Sequence, residues 1–408
     1  MELKKPKRLG ILAGLLLSLL LAGCAAVGEP VPTETPAPTP ITTDTPAPTA
    51  VPTPTPLPFL SVCGKPCFVK AGSLNFSDRE ELTDAELREI AEKAPLFPRL
   101  KAVNLPDSEP TDAYIALTSE LAAQGIDVVW RFSLYGVKVC STDREINLTK
   151  CRVGDIGAAA EAAAEWMPHL EKIDMSHCGL RDELMDEIDK RHENVRFVWT
   201  VYFSAFSLRT DSTNFIAART YNKEPISSRD MQILRYCPDL IALDLGHKED
   251  IHDLSFLRYV PKLRYLILAE CEIRDITPIG ELSELEYLEI FWTKVEDPSP
   301  LLNCKKLLDL NICYIYTRAD KAMEVLPQMT QLERLWYCGS GLSDEQKEEL
   351  QKALPNCEMY LLPHAESTGG GWREHPRYFE MRDAFDMYYM PGGTNGVAED
   401  GSQLITAG

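Results

Sequence analysis

The chain has 408 residues, enough for two or three ordinary domains or one long repeat array, and its balance of 45% hydrophobic to 25% charged residues is that of a folded globular protein. With 42 basic against 62 acidic residues and a formal charge of −20, it lacks the lysine and arginine field that nucleic-acid phosphates require. The same acidity favours solubility and repels anionic polymers and lipid head groups.

In chain order, residues 1–23 read as an export leader. Lys4, Lys5, Lys7 and Arg8 precede an apolar run from Leu9 to Ala22 that is too short to span a bilayer comfortably. The run ends in Leu21-Ala22-Gly23-Cys24, which resembles the lipobox of bacterial lipoproteins. That resemblance implies cleavage before Cys24, a diacylglycerol thioether on its sulfur, and a mature protein held on the extracytoplasmic face of a bacterial cell membrane. An ordinary secretory signal followed by a chance cysteine is the alternative. Two acyl chains suffice for stable anchoring, since each buried CH₂ contributes roughly 0.8 kcal/mol.

Residues 24–58 follow as a stalk. The stretch VPTETPAPTPITTDTPAPTAVPTPTPLP cannot build a core, and its alternating prolines favour extended polyproline II. Residues 59–97 are expected to form an N-terminal cap with a helix over Asp84–Lys93. Within it, Cys63-Gly64-Lys65-Pro66-Cys67 is the best candidate disulfide, with free buried thiols or a metal pair as alternatives. Two thiolates without a second pair fall short of a structural zinc site. The total of 12 cysteines becomes odd once Cys24 is set aside, so complete pairing within one chain is impossible.

Residues 98–237 carry long, irregular repeats. Pro98-Arg99-Leu100, Pro168-His169-Leu170 and Pro238-Asp239-Leu240 each open an L-x-x-φ-x-φ pattern, φ being apolar. Val129-Trp130 answers Val198-Trp199, and Thr142-Asp143 answers Thr210-Asp211, which indicates a duplicated unit of about 70 residues. Helices are expected over Thr111–Ala123, Ala158–Trp166 and Asp182–Arg191, and the stretches after Trp130 and Trp199 read as strand–turn–strand excursions.

Residues 238–362 are regular. Leu240, Leu263, Leu285, Leu307 and Leu332 each begin a copy of L-x-x-L-x-L, in which L-x-L is a short strand with one face inward. Prolines in Asp275-Ile276-Thr277-Pro278-Ile279 and Asp297-Pro298-Ser299-Pro300-Leu301 favour tight returns, whereas Ala319–Leu326 and Ser343–Leu354 read as helical returns. This style of repeat resembles the internalin-like leucine-rich repeats of bacterial surface proteins. The resemblance implies an α/β leucine-rich-repeat solenoid, with parallel strands on the concave face and mixed helical and tight-turn returns. It also implies a binding scaffold. Cys151, Cys178 and Cys271 fall where such repeats use Asn or Cys to hydrogen-bond the turn, and read as structural.

Residues 363–408 complete the chain as a glycine hinge, a capping helix and a flexible tail. Tyr378, Met381, Phe385 and Tyr389 are spaced to line one helical face, either folded back on the last coils or offered to a partner. On the concave side, Tyr265, Tyr287, Glu289, Phe291, Asp309, Asn311, Arg334 and Trp336 make the candidate ligand-binding strip, since Tyr, Trp and Arg dominate binding hot spots. Coverage of that strip by the chain's own tail helix is the competing expectation. No catalytic elbow, phosphate loop or dinucleotide fingerprint is present, and the 7 histidines form no metal-binding motif. The expected role is therefore binding of a protein or glycan ligand, with no enzymatic activity, cofactor, metal or nucleic acid. An envelope hydrolase or transferase with a site assembled between coils, and a purely structural component, are the alternatives.

Overall fold

Residues 58–217 and 224–387 are described by the structure, which is a computed structural model. The leader, Cys24, the stalk as far as Leu57, and the residues from 388 onward, Tyr389 among them, lie outside the described residues.

A run of L-x-L triplets becomes a stack of parallel strands, three residues each. The longest sheet orders Asn214–Ile216, Ala242–Asp244, Tyr265–Ile267, Tyr287–Glu289, Asp309–Asn311, Arg334–Trp336 and Glu358–Tyr360 side by side in chain order. Register is fixed by the central leucines: Leu243, Leu266, Leu288, Leu310 and Leu335 pair in succession, and all are completely buried. A slip of one residue would turn this leucine row to the opposite face, so the pairing has no competitor. The first and last leucines of each coil stack in the same way, forming a continuous core that no single coil could bury alone.

Several of the parallel strands end in a tight turn at a residue of positive φ. His177, His247, Glu270, Trp292 and Tyr314 occupy this place at φ 55–61° although none is glycine. The strain is offset because the turn amide donates across to the next coil, as Trp292 N–H does to the Cys313 carbonyl at 2.9 Å. One coil later the residue is Gly339, where any Cβ would run into the Tyr314 ring. Cys178 and Cys271 donate their thiols to the carbonyls of Leu148 and Leu245 in the preceding coils, at 3.0 and 3.2 Å. These cysteines therefore hold coil to coil.

Return paths follow local sequence. Proline-bearing returns are short 3₁₀ turns, Thr277–Glu281 and Ser299–Asn303, because proline removes the amide that a longer helix would use. The helical returns are Ala319–Val325 and Asp344–Ala353, the latter started by a capping box between Ser343 and Gln346. Upstream, helices cover Asp84–Lys93, Asp112–Ala122, Ala158–Trp166 and Asp182–Arg191.

Antiparallel hairpins interrupt the stack. One joins Arg131–Leu134 to Val137–Cys140 after Trp130, and another joins Thr200–Phe203 to Phe206–Arg209 after Trp199. A third, Phe59–Val62 with Lys65–Phe68, opens the described chain and precedes the strands Ser73–Asn75, Ala102–Asn104 and Asp127–Val129. Residues 59–97 thus repeat the hairpin–strand–helix order of the later units, where a plain cap was expected. Cys63-Gly64 and Tyr135-Gly136 form the hairpin turns with both residues at positive φ, the geometry that matches strand twist.

That hairpin also decides the fate of the candidate disulfide. Cys63 sits in the turn and donates to the Glu86 carbonyl at 3.4 Å, while Cys67 lies opposite Leu60 and contacts the Lys65 carbonyl. Both are free thiols, and burial pushes Cys63 up to about 11.

Candidate functional site

The strands of the long sheet expose alternate side chains on the side away from the leucine core. Register puts Tyr265 beside Tyr287, Tyr287 beside Asp309 and Asp309 beside Arg334; the second column runs Ile267, Glu289, Asn311, Trp336 and Tyr360. Register thus puts seven residues of the candidate strip on one face, and the eighth, Phe291, packs in the same cluster. None of them is exposed: Arg334, Tyr287 and Trp336 are each 1% accessible, and Asp309 and Asn311 are sealed.

What covers them is the chain itself. Residues 365–387 cross the face and, with the strip, form a second apolar core separate from the first, built on Tyr265, Tyr287, Phe291, Trp336, Trp372 and Phe385. Gly370 opens this path by lying flat on the Tyr360 ring, at φ +63°, where an added Cβ would meet Tyr360 Cδ2 at 2.6 Å. The glycine run expected as a hinge is thus a place of close approach. A short turn, Trp372–Glu374, and a helix, Pro376–Ala384, follow. Substituting Gly370 by Ala should weaken this seating, because both the positive φ and the ring contact oppose a side chain. Unchanged protease resistance of residues 365–387 in Gly370→Ala would show that the segment is held otherwise.

Two side chains anchor the segment. Trp372 is fully buried against Trp336 (ring centroids 5.0 Å apart) and Tyr287 (5.4 Å), under the Arg334 guanidinium at 4.4 Å. Its indole N–H donates to Glu289 at 2.6 Å, and its carbonyl accepts from Arg334 at 3.0 Å. Arg377 makes the second anchor. It donates Nε and Nη2 to Asp309 at 3.0 and 2.6 Å, while Arg334 grips the same carboxylate at 3.0 and 2.6 Å. Ahead of the anchors, the coils bond to the segment's backbone. Asn311 donates to the Ser367 carbonyl and Trp336 to the Gly369 carbonyl, both at 2.8 Å; the Tyr314 hydroxyl donates to Ala365 at 2.6 Å. At the far end Asn214 donates to the Asp386 side chain at 2.8 Å, so the segment reaches back to the first strand of the sheet.

The charges under the segment are unequal. Burial drives the Asp309 carboxyl upward, but its two guanidinium partners outweigh that and hold it below the usual carboxylate range. Glu289 is raised by burial, which the hydrogen bonds from Trp372 and Tyr287 and the charges of Arg373 and Arg334 only partly oppose. Asp244, on the same face, is pushed up to about 7 by burial, opposed by the bond from the Gly246 amide. His375, at the start of the helix, is lowered by burial and by Arg334 and Arg377.

These directions set a pH dependence. A carboxyl raised only while covered binds its proton more tightly in the covered state. Glu289 therefore favours seating below its ordinary value, and the gain is lost as pH rises through its raised value. His375 has the opposite sense: lowered when seated, it opposes seating as pH falls through its ordinary range. Glu289→Gln keeps an acceptor for Trp372 without the charge. It should remove the loss on the alkaline side, seating the segment more firmly wherever Glu289 would be charged; an identical pH profile in protease protection would assign the dependence elsewhere.

Among the described residues, no cluster of His, Cys, Asp and Glu is arranged to hold a metal ion. Large apolar groups do remain outside the covered face. Trp292 is 55% exposed and stacks on Tyr314 at 4.3 Å, and Tyr202 and Tyr316 are also exposed.

Residues 167–183, which contain the strand Lys172–Asp174 and the start of the helix after it, match the leucine-rich-repeat family. The fold is a leucine-rich-repeat solenoid. Solved structures similar to it include internalin C2 of Listeria monocytogenes, at 20% identity and a TM-score of 0.29 over 39% of this chain and 76% of that one. An internalin (InlF) of the same organism is 16% identical with a TM-score of 0.32, covering 71% and 86%. A leucine-rich-repeat protein of Leptospira interrogans is 14% identical with a TM-score of 0.30, covering 71% and 94%. No curated protein matches the chain in sequence. Within this solenoid, Trp372 and Arg377 were not among the expected site residues. The sequence signal that could have found them is an isolated Trp after three glycines, followed five residues later by an Arg in an acidic chain.

Proposed function

We propose that the chain is a lipid-anchored binding protein on the extracytoplasmic face of a bacterial membrane. Acylated Cys24 holds it, the proline- and threonine-rich segment carries it, and the concave face of the solenoid engages a protein ligand. One observation carries the ligand class: this face closes over a stretch of polypeptide, burying a Trp and pairing an Arg in the manner of a protein–protein hot spot. Asn311 and Trp336 donate to backbone carbonyls two residues apart, a spacing that a peptide main chain supplies whatever its side chains. The anchor rests on the charged start, the apolar run and the Leu-Ala-Gly-Cys ending.

Two experiments test the halves separately. Intact-mass spectrometry of the mature protein should show lipid on the N-terminal Cys24, lost in Cys24→Ala; an unmodified wild-type protein removes the anchor. For the ligand, capture from envelope and host extracts should rise in Trp372→Ala, which loosens the covering segment. Capture should fall below wild type when Trp336→Ala is added, because the hot-spot ring is gone. Capture indifferent to both substitutions would move the site off this face, first to the hairpins after Trp130 and Trp199 or the Trp292 edge.

A further inference from the structure

We infer that the partner of the concave groove is a polypeptide segment presenting a tryptophan and, five residues on, an arginine, and that residues 365–387 occupy the groove as an intramolecular stand-in which such a segment displaces. This rests on the reading of the concave face as the binding surface. The groove supplies two separate receptors: an aromatic slot of Trp336 and Tyr287 roofed by Arg334, and the Asp309 carboxylate offered as a two-oxygen fork. Trp372 and Arg377 fill them. The remaining polar contacts go to backbone carbonyls of Ser367, Gly369 and Trp372, so they would serve any segment following the same path.

Residues 365–387 are also a poor permanent closure. Of the nine residues in the helix Pro376–Ala384, only Met381 is buried. Glu289 is sealed beneath the segment with only neutral donors bonded to it, from Tyr287 and Trp372. A buried carboxyl without a cation bonded to it opposes the state that buries it. Arg373 and Arg334 act on Glu289 through their charge alone, so a competing segment that brings a cation into hydrogen-bond contact with it would satisfy the groove better than the chain's own does. Tethering compensates for this weakness, since a short connection gives an effective concentration on the order of millimolar.

The test uses the full chain and a fluorescent synthetic peptide with the sequence of residues 364–387, followed by anisotropy. Wild-type protein, its groove filled in cis, should bind the peptide at least ten-fold more weakly than Trp372→Ala or Arg377→Ala protein. Adding Asp309→Asn to Trp372→Ala should cost at least ten-fold again, and a peptide with its own Trp and Arg replaced by Ala should not bind. A second arm inserts a protease site after Pro363 and cuts the folded protein; the freed fragment should exchange with labelled peptide. If neither cut nor substituted protein takes up peptide while each still melts cooperatively, residues 365–387 are a fixed part of the fold and the inference fails, leaving the capture experiment to judge the face. If peptide binds but Asp309→Asn and Trp336→Ala leave binding unchanged, the concave reading itself is wrong.

Discussion

Replacing Asp309 with alanine is expected to destabilise the protein by about 3–5 kcal/mol, the scale for removing one partner of a buried ion pair. The carboxylate is completely inaccessible and is held by four hydrogen bonds from two guanidiniums. Its loss strands Arg334, itself 1% accessible, with only the Trp372 carbonyl to bond. The two guanidiniums then face each other without an intervening negative charge. Asp309→Asn should be milder, because the amide retains one acceptor and the shape. Since the covered carboxylate is depressed, its contribution is present above the ordinary aspartate range and disappears as pH falls through the depressed value. Urea melts of wild type, Asp309→Ala and Asp309→Asn at neutral and acid pH check this. A loss below about 1 kcal/mol for the alanine variant at neutral pH, the range of a surface pair, would mean that Asp309 is not sealed beneath the segment.

Leu288→Asp acts on the other core. Leu288 lies fully buried between Leu266 and Leu310 of the flanking coils. Truncating such a leucine already costs about 2–5 kcal/mol, and an unpaired buried carboxylate adds its own desolvation. Coils bury their leucines only against neighbours, so the damage should spread from the Tyr287–Glu289 strand into the adjacent coils and leave the first hairpin units folded. Limited proteolysis should show new cleavage around residues 263–312. A Leu288→Asp protein as resistant as wild type would remove Leu288 from the core and undo the register.

Much of this architecture was legible because it is periodic. Leu240, Leu263, Leu285, Leu307 and Leu332 announce the coils by their spacing alone, and proline at 278, 298 and 300 separates tight returns from helical ones. The helix bounds Asp84–Lys93, Ala158–Trp166 and Asp182–Arg191 follow from local amphipathicity and agree with the structure. The opening hairpin was not legible: its turn, Cys63-Gly64, lies in a Cys-x-x-x-Cys pattern that also suits a disulfide, and two signals of equal local strength compete there. The occupant of the concave face was hidden for a different reason. Trp336 and Tyr287 are the residue types that wait for a partner, and they are equally the types that bury a tail. Trp372 reaches Glu289 across 83 positions and Arg377 reaches Asp309 across 68, and no periodicity spans such gaps. The apolar spacing of Tyr378, Met381, Phe385 and Tyr389 placed a helix here, but the helix ends at Ala384 with Phe385 as its cap, Tyr389 lies outside the described residues, and the anchor Trp372 precedes the helix. What remained visible was the face itself; what remained invisible was that the chain had already filled it.

Hydrogen–deuterium exchange on the intact protein tests this most directly. If residues 365–387 lie in the concave groove, their amides should exchange slowly alongside the Tyr287–Glu289 and Arg334–Trp336 strands. Trp372→Ala should release the segment while the strands and the first hairpin units stay protected. A wild-type segment exchanging at the rate of a free peptide, above strands that remain protected, would contradict the account.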